Sequence, residues 1–179
     1  MSAAVSEQQS DIIELAEWEA DLCKWLSQGR FDRARERNAD RREMGKNPDK
    51  YNPDRIGLYA ELAFAKKTDV YPSQVLSAKI YTKISGQDMG DQVYQGLNFD
   101  VKATVHEKGR LWIDQINENI DYYVFMVVSE DTPVSCRLAG VIEASVLHAK
   151  EKSHPPQFKF PCIVAEQSEL TPWKEFRHG

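Results

Sequence analysis

The segment Asp121 to Val128, DYYVFMVV, constrains the fold more than any other in the 179-residue chain. Apart from the opening acid it has almost no polar position, so an extended conformation exposes apolar side chains on both of its faces. Such a strand is stable only at the centre of a sheet that is covered on both sides. A second buried element lies upstream. In RIGLYAELAFAKK, residues 55–67, the apolar positions Ile56, Leu58, Tyr59, Ala60, Leu62, Ala63, Phe64 and Ala65 leave a helix almost no polar face. Glu61 sits in its middle, and a carboxylate taken out of water requires a partner: an arginine such as Arg55 or Arg110, or a bound cation.

The remaining elements surround these two. Residues 7–29 read as an amphipathic helix, with Leu15, Trp18, Leu22 and Trp25 as its core stripe and Gly29 as its stop. A more polar helix from about Phe31 to Met44 follows, then the loop NPDKYNPD, with Asp54 as the cap of the buried helix. Strands are expected at 75–85, 91–94, 97–104, 110–113, 121–128 and 137–142, and a short helix at 143–150. The tail holds prolines 155, 156 and 161, then a last helical turn presenting Leu170, Trp173 and Phe176 on one side. Helices followed by a run of strands give an α/β (α+β) domain, a central mixed sheet flanked by helices with an N-terminal helical extension. One domain, 1–179, is expected, with N-terminal helices at 1–50, a core at 54–150 and an extension at 151–179.

Composition narrows the functional classes. No apolar run approaches the ~20 residues of a membrane span, and the opening MSAAVSEQQSDIIE lacks the pattern of a secretory signal, so a cytoplasmic protein is expected. The three cysteines are far apart and form neither a zinc nor a redox motif. A formal charge of −5 argues against a general nucleic-acid coat protein, but charge is segregated. The segment carrying Arg33, Arg37 and Arg41 reads either as a solvated mixed-charge helix or as a phosphate-contacting arm.

The chemistry resides in GLNFDVKAT, residues 96–104. Leu97, Phe99, Val101 and Ala103 alternate with Asn98, Asp100, Lys102 and Thr104, the pattern of a half-buried strand that shows an acid and a lysine side by side on its polar face. Asp91 lies just before, after Gly90. A turn at Gln95-Gly96 folds its strand back against the Asp100 strand, which brings two carboxylates beside one ammonium if the register is right. Glu61, on a helix that must bury itself against this sheet, supplies a third acid. Converging carboxylates repel unless a cation binds, and oxygen-only ligands favour Mg²⁺ or Mn²⁺. Each residue also has an ordinary structural role open to it: Asp100–Lys102 a surface ion pair, Asp91 a turn residue, Glu61 an arginine partner.

Glu61 on a helix, Gly90-Asp91, and Asp100-Val101-Lys102 on the next strand resemble the PD-(D/E)XK nuclease superfamily, with its restriction-endonuclease-like fold. The resemblance extends from about Asp54 to Lys150 and includes GRLWI and the strand opening Asp-Tyr-Tyr, as in small nucleases of phage, restriction and repair systems. Gly90 stands where the family pattern has proline. The resemblance implies a Mg²⁺-dependent nuclease, an endonuclease acting on DNA. Asp91, Asp100 and the Val101 carbonyl would hold the metal, Lys102 would position or deprotonate the attacking water, and Glu61 would hold an outer water or a second ion. Thr104 and Gln115 are supporting candidates, His106 a phosphate contact, and Trp112, Tyr122 and Tyr123 read as core residues rather than as base-stacking platforms. Nucleases of this kind often act on both strands as homodimers. The alternative is a non-catalytic protein on the same fold that binds nucleic acid or a protein partner. Phosphoryl transfer on small nucleotides is disfavoured by the lack of a glycine-rich phosphate loop.

Overall fold

The computed structural model describes residues 11–36, 52–70, 90–154 and 160–176. At its centre is a five-stranded mixed sheet. The strands are β1 (Ile12–Glu14), β2 (Gln92–Tyr94), β3 (Leu97–Thr104), β5 (Tyr122–Ser129) and β6 (Ser135–Glu143), in the order β1-β6-β5-β3-β2. β3 and β5 run parallel, and the other neighbours are antiparallel. β4 (Leu111–Ile113) and β7 (Ile163–Ala165) pair antiparallel in a small second sheet. The helices are α1 (Glu17–Glu36), α2 (Pro53–Lys67) and α3 (Ala144–His148). None of the described helices is long and apolar enough to cross a membrane.

β5 occupies the central, doubly covered place that its composition demands. Val124, Met126 and Val128 point into one core with α1 and α2, while Tyr123 and Phe125 point into another with β4, β7 and α3. α2 lies against the first face with nine buried residues, Ile56 and Leu58 to Ala65. Its start is fixed by Asn52, whose Oδ1 accepts the Arg55 N–H at 3.1 Å, and by Pro53 in the first turn. The cap is therefore Asn52 and not Asp54, which lies inside the first turn and favours the positive end of the helix dipole.

The N-terminal region departs from expectation in three ways. Residues 12–14 form an edge strand on β6, because the β-branched Ile12 and Ile13 find a free ladder there. α1 then runs through Gly29 without stopping. Finally, Trp18 and Trp25 are exposed at 58% and 67%, while the core face of α1 is the neighbouring stripe of Ala20, Cys23 and Leu26. Glu19 is buried on this face. Its Oε2 accepts the Ala16 N–H at 2.6 Å and the Lys66 ammonium at 2.8 Å, tying α1 to α2.

Cys23, Cys136 and Cys162 are buried free thiols, and burial pushes Cys136 up to about 12. The expected short helix is trimmed to 144–148, and the tail adds a bridge from Thr171 to Val141 beside Gly140. The strand expected at 75–85, the part of the second helix beyond residue 36 and prolines 155 and 156 lie outside the described residues.

Candidate active site

The hairpin between β2 and β3 sets the register of the acids. Gln95 and Gly96 both have positive φ, 50° and 82°, the signature of the two-residue turn whose twist matches the strands it joins. Gln92 is then the partner of Phe99 and the last paired residue of β2, and Asp91 follows it as a bend just beyond the ladder, beside Phe99 and Val101. Asp91 is held there by two bonds of 2.7 Å: its N–H donates to the Phe99 carbonyl, and its Oδ2 accepts the Val101 N–H. The β2 ladder ends at the Gln92–Phe99 pair, and beyond it the Asp91 carboxylate serves the Val101 N–H of β3.

Gly90 is what allows the approach. Its φ is +84°, and a Cβ there would lie 2.6 Å from the Phe99 carbonyl oxygen and 2.6 Å from Ile120 Cδ1. Proline, fixed near φ −65°, cannot adopt that conformation. Glycine at this position is a geometric requirement of the hairpin.

Along β3 the alternation expected from sequence holds. Phe99 and Val101 enter the α2-side core, and Asp100, Lys102 and Thr104 share the opposite face. Lys102 Nζ lies 2.8 Å from Asp100 Oδ2 and 2.9 Å from Oδ1, with both side chains partly exposed. β5 continues this face, since Tyr123 is the partner of Asp100 and Phe125 that of Lys102. The Tyr123 hydroxyl meets His148 Nε2 at 3.0 Å. Burial lowers the His148 pKa below its usual 6.5, a shift that the nearby Glu118 carboxylate opposes.

Asp100 and Lys102 line an open cleft of about 1090 Å³. Its walls come from the start of α2, the turn after β3, and the segment from β4 to Asn119. Glu61 is buried on α2 with its Oε1 3.9 Å from the place of a Cβ on Gly57, itself a cleft residue. Arg55 and Arg110 are engaged elsewhere, with Glu130 at 2.7 Å and Glu166 at 3.4 Å. Thr104, His106 and Gln115 all line the cleft, and Thr104 Oγ1 accepts the His106 N–H at 3.1 Å. Arg33 lies in α1 at a position whose side chain is not described, and Arg37 and Arg41 lie outside the described residues.

Among the described residues no group of three or more His, Cys, Asp or Glu side chains is set to hold a metal ion. The donors near the hairpin, the Asp91 and Asp100 carboxylates and the strand carbonyls, are oxygens of the kind a hard divalent cation takes, although Asp91 is not among the residues that line the cleft. The residues sequence reasoning missed are on the cleft's outer lip. Trp112, expected in the core, is 37% exposed and lines the cleft with Lys108 and Arg110. The signal was present: in Arg110-Leu111-Trp112-Ile113-Asp114 the buried Leu111 and Ile113 alternate with outward positions. Tyr123, by contrast, is buried as expected, and Tyr122 packs on the α2-side core. Comparison with family models, with curated proteins and with solved structures returns no match to this chain.

Proposed function

We propose that the cleft is the active site of a Mg²⁺- or Mn²⁺-dependent deoxyribonuclease of the PD-(D/E)XK type. The observation that carries the reading is the Asp100–Lys102 pair, 2.8 Å apart on the wall of an open cleft, with the Asp91 carboxylate held on the N–H of the intervening Val101 at 2.7 Å. Asp91, Asp100 and the Val101 carbonyl would hold the cation, which when bound supplies charge stabilisation and a more acidic water. Lys102 is already oriented along the polar face of β3, where it holds and orients the attacking water beside the phosphate. Glu61, behind Gly57, fixes the outer water layer from the helix side. Lys108 places positive charge beside the incoming backbone, and His106 lines the cleft next to it.

A specific observation also supports a non-catalytic binding protein on this fold. Both acids already have protein partners, Lys102 for Asp100 and the Val101 N–H for Asp91, which is what a structural role requires. Incubation of the purified chain with supercoiled plasmid and with linear single- and double-stranded DNA, in Mg²⁺, Mn²⁺ or chelator, separates the two. The nuclease reading expects metal-dependent cutting by the parent and none by a folded Lys102→Ala variant. Equal cutting by that variant removes Lys102 from the site, and no cutting of any substrate favours the binding protein.

A further inference from the structure

Trp112, Lys108 and Arg110 form a surface that the hydrolytic residues do not use. On β4 the buried Leu111 and Ile113 force Trp112 to the outer face, where its cross-strand partner is Val164, half-buried and apolar. The indole thus stands against an apolar neighbour with part of its surface open to the cleft. Lys108 is exposed, and Arg110 makes only a loose 3.4 Å contact with Glu166, so either cation can turn to a phosphate. Asp114, exposed just past the end of β4, ends the basic stretch.

The turn that carries the cations is built rigidly. Gly109 donates its N–H to the His106 carbonyl at 2.8 Å, and Gln167 Nε2 donates to the carbonyls of Glu107 and Gly109, each at 2.8 Å. Arg137 clamps the Glu107 carboxylate at 2.6 Å. Gly109 also packs where a Cβ would lie 2.6 Å from Thr104 Cγ2. A turn fixed in this way loses little conformational freedom when a ligand binds.

We infer that this lip holds an unpaired stretch of DNA, with the Trp112 indole stacked on one base and Lys108 and Arg110 on neighbouring phosphates. The inference rests on the nuclease reading of the cleft and names its substrate class. Bases within a duplex have both faces covered by their neighbours, whereas an unpaired base offers a free face to an aromatic ring. Cations beside one exposed indole therefore select single strands, gaps or flaps over intact duplex.

The test uses the full chain in chelator, so that binding is read without cleavage. Fluorescence anisotropy is measured with a labelled oligothymidylate of about 15 nucleotides and a duplex of the same length. The expected result is single-strand binding at least about 10-fold tighter than duplex binding, weakened by about 5- to 150-fold in Trp112→Ala and largely restored in Trp112→Phe. A 2-aminopurine placed in the oligonucleotide is quenched by the parent and by Trp112→Phe but not by Trp112→Ala, a readout that a merely structural tryptophan would not move. Lys108→Ala flattens the salt dependence by about 0.7 in log–log slope. Equal affinity for duplex, or parental single-strand binding by Trp112→Ala, overturns the inference. Cutting that persists alongside either result leaves the nuclease reading standing. Trp112-dependent binding by a chain that never cuts upholds the lip and removes the catalysis.

Discussion

Gly90→Ala tests whether the hairpin geometry is what places Asp91. A residue with a Cβ held near φ +84° costs about 1–2 kcal/mol. The added methyl would also meet the Phe99 carbonyl oxygen at 2.6 Å, and that oxygen cannot move freely because it accepts the Asp91 N–H at 2.7 Å. Overpacking of this kind costs about 1–3 kcal/mol, so the expected total is about 2–5 kcal/mol, a large share of the stability of a typical domain. Gly96 supplies the internal control. Its φ is +82° but nothing lies within 4 Å of its Cβ position, so Gly96→Ala is expected to lose only the conformational part, about 1–2 kcal/mol. Urea unfolding followed by tryptophan fluorescence measures both. Gly90→Pro, whose φ is fixed at about −65°, is expected to be worse than alanine. A Gly90→Ala variant within about 0.5 kcal/mol of the parent, or no more affected than Gly96→Ala, would refute the argument.

Two other predictions concern how the layers are joined. Lys66→Met leaves the buried Glu19 carboxylate with only the Ala16 N–H and removes the Lys66 bond to the Glu14 carbonyl; urea titration should show a loss of about 2–4 kcal/mol, and a loss under about 0.5 kcal/mol would contradict the buried pair. His148 is harder to protonate when folded than at its ordinary 6.5, so the unfolded chain binds more protons below that pH. Its contribution to stability is complete above 6.5 and declines as the pH falls through that value. Thermal unfolding from about pH 8 to about pH 5 should show a shallower decline in His148→Gln than in the parent, and identical slopes would count against the assignment.

The centre of the molecule was legible because local pattern and final environment agree there. DYYVFMVV is apolar on both faces and is covered on both faces; LNFDVKAT alternates and keeps its acid and lysine on one face; and the helix around Glu61 is buried as its composition requires. Illegible features depend on distant partners. β1 is three residues long and exists only through β6, and β4 pairs with β7 from the tail. Periodicity pointed to the tryptophan stripe of α1 as the inward one, but Ala20 and Cys23 are small enough to pack close to α2, and the larger Trp18 and Trp25 are left outside. The same limit hid Trp112, since an aromatic residue on a three-residue strand can face either way until the strand is paired. The approach of Asp91 to Val101 was conditional on a register that the Gln95-Gly96 turn fixes.

Asp91→Asn provides the most direct test of the site. The amide oxygen of asparagine can still accept the Val101 N–H that Asp91 Oδ2 accepts at 2.7 Å, so the hairpin persists while the charge disappears. Cleavage of plasmid DNA is measured in Mg²⁺ for parent and variant at equal folded concentration, with thermal unfolding as the check on structure. If Asp91 holds the metal, the variant melts close to the parent and cuts about 100-fold more slowly or not at all. Parental cutting by Asp91→Asn would show that this carboxylate only closes the strand edge, and the assignment of the hairpin as a metal site would fail.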